Sequence, residues 1–272
     1  LKKVWAPQGL VQRSQGKWYP GEPLPRWQIG LFWRADGEPL WADEALLADP
    51  WKEGGDHPEI PSDASGQLLA VIAERLGLPD SQVRPAYEDP LARLAAAVRQ
   101  PKGQPVAAGD DLADDTADGR AALLARLESS VGQPTAFVLP LHRSDDEDSW
   151  ASADWTFRRG RIVLLDGDSP AGLRLPLDSI SWRPPRPSFE ADPIQRRPAL
   201  RPAGGGNAAP PAPVVADDDQ EWVPTTALVA EIRDGLLYVF LPPTDELEHF
   251  VDLIERVEAA AAAIDCPVVI EG

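Results

Sequence analysis

The chain has 272 residues, 43% of them hydrophobic, enough for one large or two small domains with a sizeable core. Its net charge of -18 argues against sequence-independent binding of nucleic acid, which runs on Lys and Arg neutralising phosphates, and against attraction to an anionic membrane surface. A single cysteine, Cys266, excludes an internal disulfide framework and any multi-cysteine zinc site.

No apolar run approaches the roughly 18 residues of a membrane span, and no charged-then-apolar leader is present. Together with the single cysteine this makes a cytoplasmic location the expectation. The chain contains no Met and closes on Pro267-Val268-Val269-Ile270-Glu271-Gly272, a strand pattern with nothing after it. An internal piece of a longer protein is expected.

Residues 1–51 hold Trp5, Trp18, Trp27, Trp33, Trp41 and Trp51. Ile29 to Arg34 has strand character, Asp36-Gly37 is a turn signal, and Glu38 to Trp41 is expected to return as a partner strand. Before it, Gln15 to Pro23 is mostly turn formers around two aromatic rings. Lys17, Arg26 and these rings either line a site for a carboxylate, a phosphate or a ring, or the rings are core and the prolines fix a loop.

Residues 60–131 are expected to be helical. Leu68, Leu69, Ile72, Ala73 and Leu76 fall at helical spacing, with Ser62 or Asp63 as N-cap and Gly77 as stop. Leu91, Leu94, Ala95 and Val98 make a second face, and Leu123, Leu124, Leu127 and Val131 a third. Between them Asp110, Asp111, Asp114, Asp115 and Asp118 lack the register of a calcium loop, which favours a solvated loop.

Thr135 to Leu141 reads as a buried strand, followed by an acidic loop from Ser144 to Asp148. The least generic run comes next, WTFRRGRIVLLDGDSPAGLRLPLDSISW from Trp155 to Trp182. Trp155 to Arg158 and Arg161 to Leu165 are expected to pair as a hairpin across Arg159-Gly160. The Gly, Asp, Ser and Pro of the following loop demand special backbone angles, which is where binding residues tend to sit. Asp168, Ser169 and Arg174 are therefore candidates for holding an anion or nucleotide; the alternative is an ordered turn with Arg174 in a salt bridge.

Residues 183–221 are rich in Pro, contain a Gly204-Gly205-Gly206 run and read as a linker or long surface excursion. Residues 225–272 read as β-β-α-β. Ala227 to Arg233 and Leu236 to Leu241 flank Asp234-Gly235, the strongest short hairpin signal. Pro242-Pro243 ends the second strand, Thr244 is the expected N-cap, and Asp245 and Glu246 suit a helix N-terminus. Leu247, Phe250, Val251, Ile254, Val257, Ala261 and Ile264 form one apolar stripe, and Val268 to Ile270 a last buried strand.

Several chemistries lack the residues they need. Cys266 sits among apolar residues at a helix-to-strand joint, which favours a structural role. Ser169 does not stand in the Gly-x-Ser-x-Gly offsets of a nucleophile elbow. Neither phosphate-binding glycine motif is present, so an anion would have to be clamped by arginines such as Arg158, Arg159, Arg161 and Arg174. Asp56-His57-Pro58-Glu59 has too few ligand-type residues at defined spacing for a metal. Glu231 and Glu271 sit on strands: they are candidates for a cleft or a metal, although a strand Glu usually takes the solvent face.

Three stretches carry a resemblance: VWAPQGL…QGKWYPGEPLPRW…LFWRADGEPLW at the start, the Trp155–Trp182 run, and ALVAEIRDGLLYVFLPPTDELEHFVDLIERVEA…PVVIEG at the end. The chain resembles the putative amidoligase domain, a domain-of-unknown-function family, of large bacterial transglutaminase-like proteins. The resemblance implies a carboxylate–amine ligase with a glutamine-synthetase-like core, using ATP and Mg²⁺ to activate a small-molecule or peptide carboxylate for attack by an amine. It implies a transglutaminase-like domain upstream, a fragment that is inactive alone, an anion held by Arg174 and the Gly167–Gly172 loop, and Glu231 and Glu271 near the cleft.

The expected fold is α+β: mixed antiparallel hairpins with a helical insert at about 60–131, within a Trp-rich region 1–182, followed after the 183–221 linker by a β-β-α-β unit of a glutamine-synthetase-like sheet over 222–272. The alternatives to a ligase are a non-catalytic domain that binds peptide or protein substrate and a structural connector. A connector would pair Arg174 with Asp168.

Overall fold

The computed structural model describes residues 2–6, 9–15, 27–52, 59–89, 133–144, 149–157, 160–167, 169–180 and 223–272. It is a mixed α/β structure organised on one sheet of eight strands. The elements in chain order are α1 (Lys2–Trp5), β1 (Leu10–Gln15), β2 (Trp27–Phe32), α2 (Ala64–Arg75), β3 (Arg84–Tyr87) and β4 (Ala136–Pro140). Then follow β5 (His142–Arg143), β6 (Trp150–Ala151), β7 (Ile162–Val163), β8 (Ala227–Arg233), β9 (Leu236–Phe240), α3 (Leu247–Ala263) and β10 (Val268–Glu271). The sheet order is β2-β1-β10-β9-β8-β4-β3-β7, so strands from both ends of the chain share it. β5 and β6 form a separate ribbon.

The β8–β9 hairpin is set by local sequence. Asp234 and Gly235 both take positive φ, 52° and 73°, the backbone of a two-residue turn that fits the twist of the flanking strands. The turn sets the register Arg233↔Leu236, Ile232↔Leu237 and Glu231↔Tyr238. α3 then carries the chain across to β10, which lies parallel to β9.

Alternation along the strands divides the sheet into two faces. On one face Leu228, Ala230, Leu237, Val239, Val268 and Ile270 pack against Leu68, Leu69 and Ile72 of α2 and Leu253, Ile254 and Val257 of α3, all buried. Burying each such Leu, Ile or Val contributes about 1.5–3 kcal/mol, so this layer is the main source of stability. On the other face Ala86, Ala136, Val138, Ala227 and Val229 are covered by Trp155, Phe157, Leu164, Leu175 and Ile180. Trp155 is pinned there by its indole N–H, which donates to the Pro224 carbonyl at 2.8 Å.

Four expectations change. Residues 152–157 form no strand, and Ile162–Val163 pairs in parallel with β3, so the proposed hairpin across Arg159-Gly160 does not exist. Trp155 and Phe157 serve instead as cover for the sheet, which alternation alone cannot distinguish from pairing. β2 pairs with β1 and not with Glu38–Trp41, although Asp36-Gly37 does turn, with Gly37 N–H donating to the Arg34 carbonyl. The N-cap position of α3 is Glu246, two residues after Thr244, where the backbone is still extended and the side chain makes no capping hydrogen bond. Leu247 is 45% exposed and Leu253 takes its place in the buried stripe.

α2 begins after Asp63, whose carboxylate accepts from the Gln67 side chain and not from a backbone N–H. Gly77 follows it as expected, and β4 lies within the expected Thr135–Leu141. The helical faces at 91–98 and 123–131, the Asp-rich run 107–119 and the 183–221 stretch lie outside the described residues.

Candidate active site

Two strand carboxylates are buried on the face opposite the helices. Glu231 is 7% exposed and Glu271 2%, so neither takes the solvent face. A buried carboxylate needs a cation or donors, and Arg233 supplies the cation for both. It stands two residues after Glu231 on β8, hence on the same face. Its Nη1 donates to Glu231 Oε1 at 2.5 Å and its Nη2 to Glu271 Oε1 at 2.7 Å. Between the two carboxylates lies Tyr238 of β9, and the Arg233 guanidinium rests on its ring with Cζ 3.8 Å from the centroid. One planar fork thus ties β8 to β10 across β9.

The remaining atoms of the pair differ in their partners. Glu231 Oε1 also accepts from the backbone N–H of Ala171 at 3.1 Å, which draws the 169–180 loop against β8. That loop fits because Gly172 lies flat on Phe240: a Cβ there would stand 2.4 Å from the ring. Glu271 Oε2 is buried and has no hydrogen-bond partner among the described residues. Burial pushes the Glu271 carboxyl above its ordinary pKa, against the opposing pull of Arg233 and Arg13. Arg13 of β1 stands in register with Glu271, and its Cζ lies 4.4 Å above the ring of Trp51.

Of the candidates from the sequence, Glu231 and Glu271 come together, joined by Arg233. Arg174 lies near Glu231 but is committed elsewhere. Its fork pairs with Glu88 at 3.0 and 2.6 Å, its Nε donates to the Ser169 carbonyl at 2.9 Å, and Nη1 reaches the Leu165 carbonyl at 3.2 Å. The side chains are 8% and 13% exposed, so this is a buried bidentate salt bridge that closes the loop onto the end of β3. The Glu88 hydrogen bonds, opposed by desolvation, raise the already high pKa of Arg174. Ser169 enters through its carbonyl. Asp168, Lys17 and Arg26 lie outside the described residues.

Sequence reasoning passed over Arg13, Arg233 and Tyr238. The signal for two of them was present: a Glu-x-Arg pair on a strand shares a face, and the Asp234-Gly235 turn places Tyr238 opposite Glu231.

A divalent cation does not fit the carboxylate pair as it stands. Magnesium takes one or two carboxylates plus phosphate oxygens and water, but the Arg233 fork holds an oxygen of each Glu. Among the described residues no three His, Cys, Asp or Glu converge as a metal site. Cys266 is buried, and burial, with Asp265 nearby, pushes its thiol pKa up, the opposite of an activated nucleophile. No helix is long and apolar enough to cross a membrane among the described residues.

No curated protein and no solved structure matches this chain. A family model does, over residues 1–272, and the chain therefore belongs to the family described as Putative amidoligase enzyme (DUF2126).

Proposed function

We propose that this chain builds one wall of the active site of an ATP-dependent carboxylate–amine ligase, and that the wall is the Glu231–Arg233–Glu271 constellation. The observation that carries the reading is the burial of two carboxylates and an arginine on the sheet face away from the helices. A purely structural sheet gains little from such a group, because a buried ion pair often does no better than apolar packing of the same volume.

Amide formation by this class of chemistry is balanced by ATP: the carboxylate oxygen takes the γ-phosphoryl group, ADP leaves, and the amine nitrogen then displaces phosphate. The amine must lose a proton in that second step. Glu271 is placed for it as general base, since burial raises its proton affinity and Oε2 is not engaged by another donor among the described residues. Arg233 holds Glu271 by its other oxygen and fixes its direction. Ala171 N–H and Arg233 together fix Glu231, which sets the negative charge against which an ammonium is drawn in.

ATP and Mg²⁺ as co-substrates, a glutamine-synthetase-like core, small-molecule or peptide substrates, an upstream transglutaminase-like domain in a longer parent, cytoplasmic location and inactivity of the 272 residues by themselves all rest on the family resemblance. A second reading, a connector or substrate-binding module, is favoured at one place: Arg174, the arginine most suited by sequence to clamp an anion, is closed into a salt bridge with Glu88.

The test is ADP release by the chain and by the longer parent, with ATP, Mg²⁺ and a panel of carboxylates, using hydroxylamine as the amine so that an acyl phosphate is trapped as a hydroxamate. The expected result is carboxylate-dependent ADP release in the parent, reduced about 100-fold or more in Glu271→Gln. Absence of nucleotide turnover and of nucleotide binding in the parent would leave the connector or binding module.

A further inference from the structure

The carboxylate face carries a second arginine, Arg13, whose donors are not used among the described residues. Arg233 and Arg174 are both engaged by carboxylates. Arg13 makes no hydrogen bond or ion pair through its side chain among the described residues; its contact is the Trp51 ring, 4.4 Å from its Cζ. This arginine is nevertheless held in a set place. β1 meets β10 through the single register pair Arg13↔Glu271, locked by Gly272 N–H donating to the Arg13 carbonyl at 3.0 Å. Gln12, the residue before it, adds a side-chain bond to the Gly272 carbonyl at 3.3 Å.

The segment leading to Trp51 is held on the same strand, and Trp51 N–H donates to Asp49 Oδ1 at 3.0 Å. Leu47 bridges to Val268 at the start of β10, and Ala48 N–H donates to the Val268 carbonyl at 2.9 Å. Ala48 packs on Tyr238 and Val269, the floor between Glu231 and Glu271. The chain from Leu47 therefore occupies the first half of the free edge of β10, and β1 occupies the last residue. Arg13 and Trp51 face each other from these two segments, and Trp51 remains 52% exposed. Stacking on the indole covers one plane of the guanidinium and leaves its N–H edge for a ligand.

We propose that Arg13, oriented by Trp51, is the residue that binds a substrate oxyanion beside Glu271, the anion being a carboxylate or a phosphate with oxygens in the geometry of the guanidinium fork. A bidentate fork matches either group, and the half-exposed indole beside it gives an apolar surface for the carbon or ring that bears the anion. Trp51 is a positioning residue. The identity of the anion rests on the ligase reading; the existence of the anchor does not.

Placing an anion on Arg13 has a consequence for Glu271. That carboxyl faces Arg233 and Glu231 of β8, Tyr238 of β9 and Arg13 of β1. Arg13 lowers its proton affinity, so an anion that offsets the arginine raises it and binding draws a proton onto Glu271. Affinity for the anion then falls as pH rises through the Glu271 titration.

The experiment is calorimetry of ATP and, separately, glutarate binding to the full chain, in wild type, Arg13→Ala, Arg13→Lys, Trp51→Leu and Glu271→Gln, in two buffers of different ionisation enthalpy. The expected result is that at least one probe binds, weakens tenfold or more in Arg13→Ala, is partly recovered in Arg13→Lys, and weakens less in Trp51→Leu. Proton uptake on binding is expected in wild type and lost in Glu271→Gln. ATP as the sensitive probe assigns the anchor to phosphate, and glutarate to a carboxylate. A probe that binds wild type and Arg13→Ala equally overturns the anchor and leaves the ligase reading standing. Arg13-dependent binding of glutarate without nucleotide turnover in the longer parent sinks the ligase reading and keeps the anchor. Binding of neither probe to wild type overturns the anchor.

Discussion

Replacing Arg233 by Met tests the electrostatics of the site directly. The methionine fills much of the volume above Tyr238 but removes the cation shared by two buried carboxylates. Glu231 then retains the Ala171 N–H, and Glu271 loses the hydrogen bond to its Oε1. Breaking a buried pair by removing one partner costs about 3–5 kcal/mol. Arg233 is 26% exposed, so water shares the work of solvating the pair and the lower end, about 3 kcal/mol, applies. That corresponds to roughly 6–12 °C in melting temperature for a domain of this size.

The loss depends on pH in a definite sense. Glu271 has a folded pKa raised above its unfolded value, because burial outweighs Arg233 and Arg13. Such a group contributes stability that is fully present below the unfolded pKa and is lost as pH rises through the folded one. Removing Arg233 takes away one of the interactions holding that pKa down, so it rises further and the loss at high pH grows. The deficit of Arg233→Met is therefore small near pH 4.5 and largest by pH 8. Urea unfolding followed by tryptophan fluorescence at both pH values measures it. Adding Glu271→Gln to Arg233→Met is expected to restore more than about 1 kcal/mol at pH 8, since it removes the unpaired charge. A deficit below about 1 kcal/mol at pH 8, or a larger one at pH 4.5, would refute the reasoning.

Three further outcomes follow from the packing. Glu88→Gln removes the carboxylate that pairs with the buried Arg174 fork, leaving it two carbonyls and the more distant Glu231 and Asp166, at a cost of about 3 kcal/mol in urea unfolding, while Glu88→Leu with Arg174→Met recovers most of it. Gly172→Ala puts a methyl 2.4 Å from the Phe240 ring and lowers stability by about 1–3 kcal/mol; a melting temperature equal to wild type would show that the loop is not seated as described. Leu253→Ala removes a fully buried side chain from α3 and costs about 2–5 kcal/mol, whereas Leu247→Ala, at a half-exposed position, stays within about 0.5 kcal/mol.

The parts of the fold that were legible in the sequence carry their own local signal. Asp234-Gly235 dictates a turn whatever surrounds it, and α3 is long and strongly amphipathic. The strands that escaped are those whose pairing is decided elsewhere. β7 is two residues long and pairs in parallel with a strand more than seventy residues earlier. β3 contains Pro85, and β1 is mostly polar and touches β10 at one position. For the carboxylates, the sequence placed Glu231 and Glu271 on strands but could not say that their side of the sheet is covered, because the cover comes from residues distant in the chain, among them Trp155, Phe157, Leu164 and Leu175 and, near Tyr238 and Val269, Ala48.

The arginines show why the best-looking sequence candidate is not the one left available for a ligand. Arg174 drew attention because it stands between apolar residues. An arginine among apolar residues is buried, and a buried guanidinium must have its donors satisfied by the protein itself. The signal that singled out Arg174 is thus the signal of an arginine already used, and Glu88 with two loop carbonyls uses it. An arginine that serves a ligand has to keep its donors open and still hold one position. An exposed ring satisfies both demands, since it orients the guanidinium without accepting a hydrogen bond from it. Arg13 on Trp51 meets that description, from a strand whose sequence, Leu-Val-Gln-Arg-Ser-Gln, carries no pattern that marks it.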